Sequence, residues 1–409
     1  MRSMVFLICA VSLAWLPAAT ARAGARVGPH LTVAEEFTDN LLLSASDEAS
    51  DWITTVEPGI GLVYGSSALV YESDYSLRFR YYQEHSEASE TSFRDVQRAT
   101  ASGLLFPARN FNIAADGEIS RVALDERGPG VEESELVNTT NLYRYSVNPR
   151  YVRQWSSAFA STLGYRYGQT DYESAAGDDT SSHEYSLLLE RTHSRRTDLR
   201  FRYAYLEQTV SLFRDFEQHT ALAGVTHRYG PRTDLSADIG SVKISFADGS
   251  EKELPVWNGR VAYRFSGFLS LALTSFREFT VSVRRGFTKG DTASASLVYA
   301  GRATAEGRVY LTEREYLEEQ SKDEVLGARM LLTVPLEDRY YTTVFVDYRY
   351  LHFLPDDEKA DRSALGATIG YAFKPLDVSL GYTYILNDSN IDGNDYRNNL
   401  VLLKGSLRY

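Results

Sequence analysis

From Gly24 onward the residues alternate between apolar and polar with a period of two. No later segment approaches the ~18 consecutive apolar residues of a membrane-crossing helix. Residues 69–81 set Leu69, Tyr71, Tyr75, Leu77, Phe79 and Tyr81 against Glu72, Asp74, Ser76, Arg78 and Arg80. The same pattern recurs over 159–167, 199–205, 365–373 and 378–384. A strand written this way has one apolar and one polar face. Two architectures accept many such strands. One is a soluble sandwich with the apolar face inside; the other is an outer-membrane barrel with the apolar face toward lipid. The local pattern fits both.

The connections separate them. Short turns at 65–67, 107–109, 194–197, 230–233 and 374–376, among others, alternate with longer polar stretches such as 41–50, 84–90, 124–137, 173–181, 284–292 and 387–395. This spacing predicts an all-β, transmembrane, antiparallel up-and-down β-barrel of about 18–20 strands, with short periplasmic turns and longer extracellular loops. The lower number follows if the pair around 268–300 is merged. The tetrapeptides Arg196-Thr-Asp-Leu199 and Arg232-Thr-Asp-Leu235 both enter a strand from a short turn, as a repeating meander requires.

Arg2, the apolar run 5–16 and Ala21-Arg22-Ala23 read as a secretory signal peptide over 1–23, leaving 24–409 as one barrel domain. That places the chain in the bacterial outer membrane, among lipid and lipopolysaccharide. The single Cys, Cys9, excludes a disulfide framework, and the net charge of −12 excludes nucleic acid as the main partner. Leu407-Arg-Tyr409 ends the chain on an aromatic and resembles the insertion signal read by the barrel-assembly machinery. Strand 1 starts so close to the leader that any plug is expected from an inward-folded loop or a partner.

Phe37-Thr-Asp39-Asn40, followed by residues 51–60 and later by Phe276-Arg277-Glu278-Phe279, resembles the outer-membrane barrel family associated with exopolysaccharide loci and the PEP-CTERM sorting system. The resemblance implies a non-enzymatic channel or scaffold for exopolysaccharide, fed by a periplasmic polysaccharide-export protein. It supplies no catalytic residues and no cofactor. A general diffusion porin is the alternative. A barrel hydrolase is a third reading, with His85 near Glu84 and His183 beside Glu184 as its candidates.

The alternation predicts a lumen face carrying Glu72, Asp74, Arg78, Arg80, Arg166, Arg200, Arg202, Arg264, Asp347, Arg349 and Arg408. These residues either contact a sugar polymer or pair with one another. Trp52, Tyr64, Tyr81, Trp155, Tyr229, Tyr340, Tyr384 and Tyr409 crowd near turns and are expected to form interfacial girdles. The acidic runs Asp47/Glu48/Asp51, Glu132/Glu133/Glu135, Asp178/Asp179 and Asp356/Asp357/Glu358 read as solvated outer loops. Asp388, Asn390 and Asp392 match the first half of a calcium loop, but position twelve is Asn399, so a polar turn accounts for them better. No nucleophile-elbow, phosphate-loop or dinucleotide motif is present.

Overall fold

The computed structural model describes residues 24–408; residues 1–23, read above as a signal peptide, and the girdle candidate Tyr409 lie outside the described residues. Each strand pairs antiparallel with the next. The first, Gly24–Thr38, closes the ring on the last, Tyr396–Arg408, with His30 opposite Arg408 and Thr38 opposite Leu400. The segments Leu69–Leu77 and Phe79–Tyr82 form one strand, since Ser76 faces Gly59 and Phe79 faces Val56 in unbroken register. The product is a closed 20-strand antiparallel barrel. Closure is what lipid demands, because every backbone N–H and C=O must find a partner in the wall.

Several short turns share one device. Ser66, Ser156, Ser194 and Ser266 each accept, through Oγ, the N–H two residues ahead, at 3.2–3.3 Å. The hydroxyl thereby takes the place of a backbone turn contact. At the other rim several connections are shorter than the sequence predicts. The strand Gly286–Ala300 runs straight through the polar stretch 284–292, with Lys289 opposite Phe279 and Asp291 opposite Arg277. Polarity there marks departure from hydrocarbon, not the end of the ladder. The merged 18-strand count fails for the same reason: Leu269–Ser282 and Gly286–Ala300 are separate strands, paired with each other from Leu269/Tyr299 to Ser282/Gly286.

Residues directly opposite in a ladder share a face, so register sorts the wall. Leu163, Tyr203, Ile239, Val309 and Leu403 point outward and are exposed on the isolated protein, forming an apolar band for lipid. Tyr64, Trp155, Tyr229 and Tyr340 end that band beside the short turns; Trp52, Tyr81 and Tyr384 face outward toward the other rim. On the inner face, three glycines sit opposite the rings of tyrosine or phenylalanine, Gly370 against Tyr341 among them. A methyl group on Gly327 would come within 2.2 Å of the Tyr310 ring, and one on Gly366 within 2.2 Å of Phe345. Each ring lies flat over its glycine along the wall.

One seam is partly open. Glu251–Arg264 pairs with Leu269–Ser282 only from Asn258 to Arg264. Beyond it, the hairpin around 283–285 leans over the outer mouth. Phe287 packs edge-on against lumen-facing Phe216 and Phe246, at 4.8 and 5.6 Å between ring centres. The Asp178 N–H donates to the Val283 carbonyl at 2.6 Å. Val242, Ile244 and Val256 complete this apolar cluster.

Candidate functional site: a loop folded into the outer mouth

The connection 124–138 turns inward instead of standing in solvent. Its ends are clipped together by Asn138, which adopts φ +57°, a conformation Asn tolerates. Asn138 Nδ2 donates to the carbonyls of Asp125 (2.6 Å) and Pro129 (2.9 Å), and its Oδ1 accepts the Asp125 N–H (2.9 Å). Thus braced, the loop presents its carboxylates to cationic side chains around the wall.

Glu133 receives Arg349 and the Tyr396 hydroxyl (2.7 Å) and lies 3.8 Å from Arg362. Glu135 accepts from Arg78 at 2.6 Å and lies 3.8 Å from Arg80. Glu126 meets Arg314 and the Tyr316 hydroxyl, both at 2.9 Å. Asp125 takes a forked contact from Arg285 at 2.9 and 3.1 Å. One loop cation answers in kind: Arg127 reaches Asp323 at 2.8 Å and stacks over Phe353. Arg362 also donates to the carbonyls of Gly128 (3.0 Å) and Arg127 (3.2 Å). The loop is therefore tied to strands on several sides of the mouth.

Burial confirms the plugging geometry. The side chains of Glu133 and Arg362 are 4% and 6% exposed, whereas lumen-facing Arg202 and Arg264, deeper in the barrel, are 52% and 60% exposed. The ion pairs between loop and wall are buried, whereas these deeper arginines are open to solvent. Outside the membrane-spanning strands, burial works to raise the Asp125 carboxyl. The hydrogen bonds from Arg285 and the Arg127 N–H, with the Arg284 and Arg285 charges, outweigh it and hold Asp125 below the usual carboxylate range.

Register puts all the lumen candidates, from Glu72 to Arg408, on the inner face, but it does not gather them into one site. Arg78, Arg80 and Arg349 meet the loop. Arg200 pairs with Asp238, Arg202 with Glu184 and Arg264 with Asp234 along the wall; Asp347 pairs with Arg349. Asp74 lies 3.7 Å from His30, and Arg166 donates to Ser146 at 3.4 Å. The solvated reading of Glu133 and Glu135 is corrected: both are pulled inward by opposite charge. Asp178 is likewise buried, accepting the Leu212 N–H and the Ser211 hydroxyl. Sequence reasoning missed Arg127, Arg285, Arg314, Arg362, Tyr316 and Tyr396. The signal available was a long acidic loop facing an arginine-bearing lumen, read as two separate facts.

The calcium pattern does not assemble. Asp388 lies within the strand Leu376–Ser389, and Asn390 Oδ1 is occupied by the Lys359 N–H at 2.6 Å. Among the described residues no group of three or more His, Cys, Asp or Glu is placed to hold a metal. His85 is bonded to Asp51 (3.0 Å), and His183, on the outer face, to the Tyr165 hydroxyl (2.8 Å), so the two hydrolase candidates share no site.

No family model matches the chain, and no curated protein matches it. Solved structures do. The siderophore receptor PirA from Pseudomonas aeruginosa aligns over 95% of this chain and 81% of its own, at 12% identity and TM-score 0.53. The FrpB iron transporter from Neisseria meningitidis aligns over 94% and 82%, at 8% identity and TM-score 0.54. The ferric citrate transporter FecA in its unliganded form aligns over 94% and 78%, at 12% identity and TM-score 0.52. These likenesses establish the fold: a large barrel of the bacterial outer membrane. They overturn the expected functions. The neighbours are receptors and transporters for specific ligands, not polysaccharide exporters or general porins, and the occupied mouth fits neither an open conduit nor a diffusion pore.

Proposed function

We propose that this chain is a gated outer-membrane transport barrel that admits a specific ligand, with the loop 124–138 as its gate. The observation that carries this reading is the loop itself, held across the outer mouth by Glu133 and Glu135 on wall arginines. A non-selective pore gains nothing from a buried ion-pair network at its entrance, whereas a selective one gains discrimination, because only a ligand that replaces those contacts can pass. The names of the structural neighbours favour chelated iron as the cargo class.

The test has two arms. Purified protein in planar bilayers should show little steady conductance, and replacing residues 126–136 by a short Gly/Ser linker should open it. A deletion strain should lose uptake of at least one ferric chelate from a panel containing ferric citrate and ferric siderophores. Porin-like conductance in the unaltered protein would refute the gate. Undiminished uptake of every chelate would refute the cargo class.

A further inference from the structure

We infer that the cargo is a polyanion, and that the acidic loop occupies its site as a built-in substitute. This rests on the gated reading above.

The chemistry of the mouth is that of an anion site already filled. Arg78, Arg80, Arg314, Arg349 and Arg362 project from the wall toward one loop. Guanidinium forks suit carboxylate and phosphate oxygens, and they cannot shed their charge. Among the described residues, Arg314 and Arg362 make ion pairs with the loop alone. Deeper in the lumen the pattern differs: Arg200, Arg202 and Arg264 are each answered by a carboxylate of the wall. Arg78, Arg80 and Arg349 are shared between the loop and the wall carboxylates Glu57, Glu36 and Asp347, so the removable counter-charge is the whole supply for Arg314 and Arg362 and a part of it for the other three.

The fit of the loop is incomplete. Arg80, its side chain 7% exposed, leaves Nη1 without a hydrogen-bond partner, and Glu135 Oε2 is likewise unsatisfied although the two stand 3.8 Å apart. Arg98 Nη2 is a further buried donor without an acceptor. Beside Arg80 a small cavity of about 20 Å³ separates loop from wall, lined by Glu36, Arg80, Tyr82 and Glu135 among others. Buried donors of this kind are costly, and an anion with several oxygens satisfies more of them than the loop does.

Energetics make the exchange selective. Withdrawing the loop without replacement strips Arg314 and Arg362 of their only ion-pair partners and leaves Arg78, Arg80 and Arg349 under-neutralised, an uphill step. A neutral solute cannot relieve it, and a cation worsens it. A polyanion relieves it by taking over the same donors. The acidic rim residues Asp47, Glu48 and Asp356 oppose entry only at short range, since their field is screened beyond about 8 Å at physiological ionic strength.

The test uses the full-length chain with Cys9→Ser and Gly130→Cys, a position with open space for a side chain, carrying a spin label on the loop. Citrate and tripolyphosphate, at ionic strength matched with sodium chloride, should mobilise the label saturably. Sucrose and triethanolamine should leave it unchanged. Glu133→Gln with Glu135→Gln weakens the competitor, so half-mobilisation should shift to at least tenfold lower anion concentration. Heat-modifiable gel mobility checks that the barrel has formed. If neither anion moves the label while the Gly/Ser replacement of 126–136 still opens the pore, the polyanion inference falls and the gate stands. A label already mobile without anion, in a barrel that conducts steadily, removes the gate itself.

Discussion

Glu133 shows how a single carboxylate can hold a gate. Its oxygens are taken by Arg349 and Tyr396, with Arg362 behind them, and its side chain is 4% exposed. Removing one partner of such a buried set leaves the others charged and dry, at a cost of about 3–5 kcal/mol. Glu133→Ala should therefore loosen the loop strongly without breaking the wall. Limited proteolysis should cut within 124–138 at least tenfold faster in the variant, at unchanged heat-modifiable mobility; equal cutting rates would count against the pairing. Asp125 makes the gate sensitive to acid. Its carboxyl is held below the ordinary aspartate value of about 3.9, so it stabilises the closed loop fully above that value. That contribution falls away as pH drops through the lowered folded value. Loop protection, measured by hydrogen exchange, should stay flat from pH 7 to about pH 5 and weaken only below about pH 4. Weakening near neutrality would point to another group.

At the level of the element, the loop depends on its hinge. Asn138 supplies three hydrogen bonds to the loop ends from a left-handed backbone position. Asn138→Ala removes all three and strains the backbone, at a net cost of about 1 kcal/mol per hydrogen bond. Amide exchange in 125–137 should rise several-fold while exchange in the flanking strands Phe111–Ala123 and Thr139–Ser156 stays as it is. The strands themselves were legible in the sequence because their alternation is dictated by lipid on one side and water on the other. Leu199, Phe201 and Tyr203 fix the outward face, and Arg200 and Arg202 follow inward. The loops were not legible. Nothing in the residues 132–135 distinguishes a solvated acidic run from one drawn onto Arg349 and Arg78, since their partners lie on strands far along the chain. The lengths of the outer loops misled for a related reason: Lys289 and Asp291 are polar and yet remain in the ladder.

The whole molecule divides its charges by face. Near the middle of Thr233–Phe246, Ile239 points to lipid and is 70% exposed on the isolated protein, while neighbouring Asp238 holds Arg200 on the inner side. Ile239→Arg should destabilise the barrel by about 2–4 kcal/mol, read by denaturant titration in lipid vesicles, because the cation is forced into hydrocarbon. A neutral result would mean the apolar band had been placed at the wrong height. The glycines under Tyr310 and Phe345 have a consequence for traffic. A ring lying flat on Gly327 or Gly366 takes little of the bore, whereas an added methyl lifts it toward the axis. Gly327→Ala with Gly366→Ala should therefore narrow an opened barrel, lowering its conductance and its size cutoff, while the wall stays intact and the gate still closes.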